Sequence, residues 1–130
     1  MRYALLVYMP ASWKDVPSEE KRVFHRAQRD LRDEFQAHPD ASVRVIAHYR
    51  ARPPKHVTTV RVAGSEIVRS PGPATESAEA LRAFYILEGD AADSVNDFAT
   101  RLPAVRMGAT VEVWPLVESD PQHMSHRHEG

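Results

Sequence analysis

His48 and Arg50 stand two residues apart in a stretch, Val43 to Ala51, where Val43, Val45 and Ala47 alternate with Arg44, Ile46, His48 and Arg50. That is the period of a strand with one polar face, so an imidazole and a guanidinium share a side. An imidazole exchanges protons near neutral pH, while a guanidinium holds an anionic group and keeps a neighbouring imidazole neutral and basic. His48 and Arg50 are therefore the first catalytic candidates. Glu76 joins them: with Glu79 it lies in an irregular segment, the setting in which binding groups are often displayed, and it serves there as a proton acceptor, a cation ligand or a backbone cap. Tyr8, Tyr85, Glu112 and Trp114 are substrate-binding candidates. Their rings, with that of Trp13, suit the walls around a flat organic ligand, and Glu112 shares a strand face with Trp114. His25 follows Phe24 and points roughly 100 degrees away from its helix's apolar stripe, which predicts a surface group beside Arg29.

Other chemistries are excluded or disfavoured. The chain has no cysteine, so there is no disulfide, thiolate metal site or cysteine nucleophile. It has no phosphate-cradling glycine loop, dinucleotide fingerprint, GxSxG elbow or HExxH pair. His123, His126 and His128 lie in a tail that offers no packed groups to orient their rings, so no metal site and no cofactor are expected. Lys and Arg total 17 against 18 Asp and Glu, a net charge of -1, which attracts neither nucleic acid nor anionic lipid. Fourteen of the basic residues are arginines, and their scatter along the chain reads as codon bias. The apolar run at Met1 to Met9 is much shorter than the roughly 20 residues of a membrane helix and lacks a cleavage pattern. A soluble, cytoplasmic protein is expected.

The elements that must position these residues follow from periodicity. Tyr3 to Met9 is a β-branched and aromatic strand stopped by Pro10. Phe24, Ala27, Leu31 and Phe35 mark a helix from Ser18 to His38, with Glu19 and Glu20 in its first turn. Val57 to Val62 and Glu66 to Ser70 flank Ala63-Gly64-Ser65 as a hairpin. Thr75 to Leu81 reads as a turn of helix, Phe84 to Glu88 as a strand, and Ala92, Val95, Phe98, Ala99 and Leu102 as a second helical stripe capped by Asp90. Thr110 to Val117 is the last strand. The predicted organisation is one domain over residues 1–118 and a disordered tail over 119–130. Its fold is α+β, an antiparallel sheet with two helices on one face. The first strand and Phe84 to Leu87 are apolar on both sides, so the second face calls for a cover, and a second copy of the chain would supply it.

Three segments carry a resemblance: MRYALLVYM at the start, RPPKHVTTVRVAGSEIVRSPGPATESAEAL in the middle, and FYILEGDAADSVNDFATRLPAVRMGATVEVWPLVE at the end. They are similar to the DGPF branch of the YCII-related family. Gly72 and Pro73 match its Gly-Pro, Glu76 and Glu79 its glutamates, Leu81 its leucine, and Phe84-Tyr85 its aromatic pair. Pro71 stands in place of the signature aspartate, so chemistry resting on that carboxylate does not transfer. The resemblance implies a ferredoxin-like sheet assembled into a dimeric α+β barrel, hence a homodimer enclosing a small organic ligand. Two functions fit: a cofactor-independent acid–base enzyme of the isomerase, lyase or cyclase type, working without metal, and a non-catalytic metabolite-binding or regulatory protein linked to sigma-factor control of transcription.

Overall fold

Tyr3, Leu5, Val7 and Met9 are buried while Ala4, Leu6 and Tyr8 are half-buried, so the two-residue period of the sequence becomes the two sides of strand β1 (Arg2–Pro10). The protein is seen here as a computed structural model that describes residues 1–37, 42–75 and 79–117. After β1 come a 3-10 turn (Ala11–Asp15), helix α1 (Ser18–Ala37), β2 (Val43–Arg50), β3 (Thr58–Ala63), β4 (Glu66–Pro71), β5 (Glu79–Gly89), helix α2 (Ala92–Arg101), a helical turn (Pro103–Arg106) and β6 (Thr110–Pro115). Four strands form an antiparallel sheet in the order β2-β5-β1-β6, and among the described residues β3 pairs only with β4 in a separate hairpin. Each long helix joins strands that are not neighbours, which is the ferredoxin-like arrangement.

One face of this sheet carries the core. Tyr3, Leu5, Val7, Val43, Val45, Tyr85 and Leu87 meet Val95 and Phe98 of α2, with Phe24, Leu31 and Phe35 of α1 packed against them. Phe35 meets Phe98 edge-on at 4.8 Å, and Arg101 bonds Glu34 at 2.7 Å while lying over the Phe35 ring. Gly89 sits where a Cβ would come within 2.5 Å of Val95 Cγ2, so the absence of a side chain lets α2 close on the end of β5. Gly64 turns the β3–β4 hairpin at φ +65°, as its place between two strands predicts.

The barrel implied by the resemblance is not formed. β2 and β6 are the two edges of an open sheet, and β3–β4 does not bridge them. The local corrections have local causes. Residues 79–81 belong to β5, because β1 pairs with that strand as far as Pro10↔Glu79, so Leu81 lies in a strand rather than a helical turn. Ala91, not Asp90, precedes α2, without a side-chain cap. Pro103 does follow the end of α2 at Arg101, and it also opens a further helical turn, where its missing N–H costs nothing. His38 and the tail at 119–130 lie outside the described residues.

Candidate functional site

Two irregularities in the sheet decide where the polar residues point. In β2 the register slips between Val45↔Leu87 and Ala47↔Ile86, leaving Ile46 as an extra residue. In β5 it slips between Val7↔Ala83 and Tyr8↔Leu81, leaving Arg82 as the extra residue. An extra residue reverses the alternation beyond it. Val43 and Val45 face the helices, and so, past the bulge, do His48 opposite Tyr85 and Arg50 opposite Ala83. His48 and Arg50 do share a face, but it is the face covered by α1.

Between α1 and this end of the β2–β5 pair lies a cleft of about 600 Å³. Val7, Met9, Trp13, Phe24 and Ala83 give it an apolar wall. Its polar lining is cationic: Arg29 and Arg32 come from α1, Arg50 and Arg52 from β2 and the loop after it, and Arg82 from the β5 bulge, with no aspartate or glutamate lining it among the described residues. His25 and His48 complete it. Trp13 and Phe24 meet edge-on at 4.9 Å, and His25 lies against both rings.

The site rests on a buried polar tie. Gln28 is 4% exposed; its Nε2 donates to the Tyr85 hydroxyl at 2.8 Å and its Oε1 accepts from the Ala104 amide at 3.3 Å. Tyr85, held this way, presents its ring to His48, and the two stack at 4.1 Å and 5°. Burial pushes the Tyr85 phenol well above its usual range. It acts as a floor under His48 rather than a titrating group. His48 Nε2 and Arg82 Nε are buried without a hydrogen-bond partner among the described residues.

Burial first, then the charges of Arg32, Arg50 and the neighbouring His25, lowers the His48 pKa to about 4. His25 is lowered by burial and by Arg50, Arg82 and Lys21. Both rings are therefore held toward the neutral form.

The sequence candidates divide between two sides of the sheet. His48 and Arg50 line the cleft, with Tyr85 beneath. Tyr8, Glu112 and Trp114 lie together on the opposite, open face, where Trp114 Nε1 donates to Glu112 Oε1 at 3.0 Å. Burial and the adjacent Glu112 carboxylate raise the Tyr8 phenol. Glu76 lies outside the described residues, and Glu79 accepts a 2.6 Å bond from the Thr110 hydroxyl. His25 is a cleft residue, not a surface one. Arg29, Arg32, Arg52, Arg82 and Gln28 were not among the sequence candidates. One signal was readable: His25, Arg29 and Arg32 recur at the four- and three-residue spacing of one helix face. The place of Arg82 depends on a bulge that no pattern in the chain announces.

No family model matches the chain, and no curated protein matches it, so the likeness to the YCII-related family rests on the sequence segments named above. Among solved structures, the divalent cation tolerance protein Cut A1 from Thermus thermophilus is similar over 96% of this chain and 93% of that one, at 13% identity and a TM-score of 0.36. At that level no residue or activity is carried across. Among the described residues, no group of three or more His, Asp and Glu could hold a metal ion, and no helix is long and apolar enough to cross a membrane. The resemblance implies a ligand enclosed by a dimeric barrel; the sheet is open instead, and the cleft lies beneath α1.

The His48 shift sets a pH dependence. Between its unfolded value near 6.5 and its folded value of about 4, the unfolded chain holds a proton that the folded chain does not. His48's contribution is therefore fully present above about pH 6.5 and is lost as the pH falls toward 4. Carbon-detected NMR titration should place the His48 midpoint well below 6, and Arg50→Gln should move it upward. A midpoint near 6.5 in the unsubstituted protein would contradict the geometry.

Proposed function

We propose that this domain binds a small organic anion in the cleft between α1 and the β2–β5 edge. The observation that carries this reading is the convergence of five arginines on a cavity that no carboxylate lines among the described residues. Only Arg32 has an acidic partner of its own, Asp33 at 3.0 Å, among the ion pairs described for those five. Guanidinium groups left this way bind carboxylate, phosphate or sulfonate oxygens with charge-assisted hydrogen bonds. Trp13, Phe24 and Met9 supply the apolar surface for the body of the ligand.

The chain's two tryptophans make the test direct, since Trp13 lines the cleft and Trp114 lies on the other side of the sheet. In a Trp114→Phe protein, benzoate should change the Trp13 emission and neutral benzamide should not. Arg50→Gln should weaken benzoate by roughly 10-fold or more, the usual size of a lost bond to a charged group. Equal binding of benzoate and benzamide would remove the reading.

We infer also that a second copy of the chain covers the open face. Leu6, Tyr8, Phe84 and Ile86 lie there half-buried, with Tyr49 61% and Trp114 52% exposed. Exposed apolar surface of this kind is rare on soluble monomers, and a two-fold pairing would bury it against itself while each sheet stays open at its β2 and β6 edges. Sedimentation should give a dimer at micromolar concentration and a shift to monomer in Trp114→Glu. A monomeric unsubstituted protein would refute the pairing.

A further inference from the structure

His25 reaches the cleft from α1 and His48 from β2, and Arg50 acts on both. Among the described residues that line the cleft or act on the pair, every charged group is positive. From α1 come Lys21, Arg29 and Arg32, the last beside its partner Asp33; from β2 and the loop after it, Arg50 and Arg52; from β5, Arg82 together with the neutral Tyr85 phenol. The 3-10 turn contributes the Trp13 ring, and Gln28 is committed to Tyr85 and Ala104. His48 Nε2 has no hydrogen-bond partner among the described residues.

We propose that the cleft takes up its anion together with a proton, which His48 and His25 accept when the anion neutralises the arginines around them. This rests on the anion-binding reading above and gives that site its regulation. The empty cleft opposes protonation, because an imidazolium would join a crowd of like charges in a partly dry space. A bound anion reverses the sign of the local field. Its oxygens can also accept a hydrogen bond from an imidazolium nitrogen that faces the cleft. Binding and protonation are then linked: an anion that makes the histidines easier to protonate must itself bind more tightly when the solution supplies protons. The ligand class follows. It is a carboxylate, phosphate ester or sulfonate with an apolar body, captured in mildly acidic solution and released as the pH rises.

The probe is 4-toluenesulfonate, whose charge is constant across the range and whose ring suits the Trp13 wall. Its affinity, read from Trp13 emission in Trp114→Phe, should rise about 10-fold or more between about pH 7.5 and pH 5, as linkage to roughly one proton requires. The His25→Asn/His48→Asn double variant should lose that rise. Calorimetry on the unsubstituted protein, run at about pH 6 in buffers of different ionisation enthalpy, should show net proton uptake on binding, a readout that needs no variant. Binding that is independent of pH and moves no protons overturns the linkage while leaving the anion site standing. A pH dependence that survives in the double variant overturns the assignment to the histidines. No binding of sulfonate or benzoate at any pH removes the anion site itself.

Discussion

The polar contact between Gln28 and Tyr85 sets the geometry on which the cleft depends. A glutamine side chain buried between a helix and a sheet is costly unless both ends of its amide are bonded, and here they are, to the Tyr85 hydroxyl and the Ala104 amide. The bond holds α1 at one height above β5, and Tyr85 in turn gives His48 a flat surface to stack on. A leucine at position 28 would add apolar contact yet leave two buried groups unpaired. The tie thus favours one placement of α1 over others that apolar packing alone would allow.

Charge supplies the second constraint. The whole chain is nearly neutral, yet its charges are not evenly spread. Acidic partners neutralise arginines elsewhere, as Glu88 does for Arg44 and Glu34 for Arg101, both at 2.7 Å. The cleft instead gathers Arg29, Arg50, Arg52 and Arg82 around an apolar wall, with no carboxylate among the described lining residues. Such an arrangement opposes compact packing through self-repulsion, and a bound anion would relieve it. The buried Arg82 Nε, without a hydrogen-bond partner among the described residues, is a local sign of the same imbalance.

Much of the fold was legible because it depends on periodicity. The alternation in β1, the stripe of Phe24, Leu31 and Phe35, the hairpin turn at Gly64 and the stripe of Val95 and Phe98 all lie where the sequence predicts them. The site was only partly legible. His48 and Arg50 were found because they share a strand face, but their direction was not, since the extra residue at Ile46 turns them under α1. Tyr8, Glu112 and Trp114 do cluster, on the opposite side of the sheet. The other arginines were missed for a different reason: Arg29, Arg32 and Arg82 lie far from Arg50 along the chain and meet it only once three elements have packed. A net charge of -1 concealed a local excess because it averages over the whole surface.

The central claim is that the cleft arginines, rather than arginines in general, hold an anion. Arginine side-chain Nε–H resonances followed by ¹⁵N NMR during titration with benzoate test this most directly, because each guanidinium reports for itself. Arg50 and Arg82 should shift in a saturable way, while Arg22, Arg44 and Arg101, already paired with carboxylates, should stay in place. Uniform small shifts across all the arginines, or saturable shifts confined to those outside the cleft, would contradict the account.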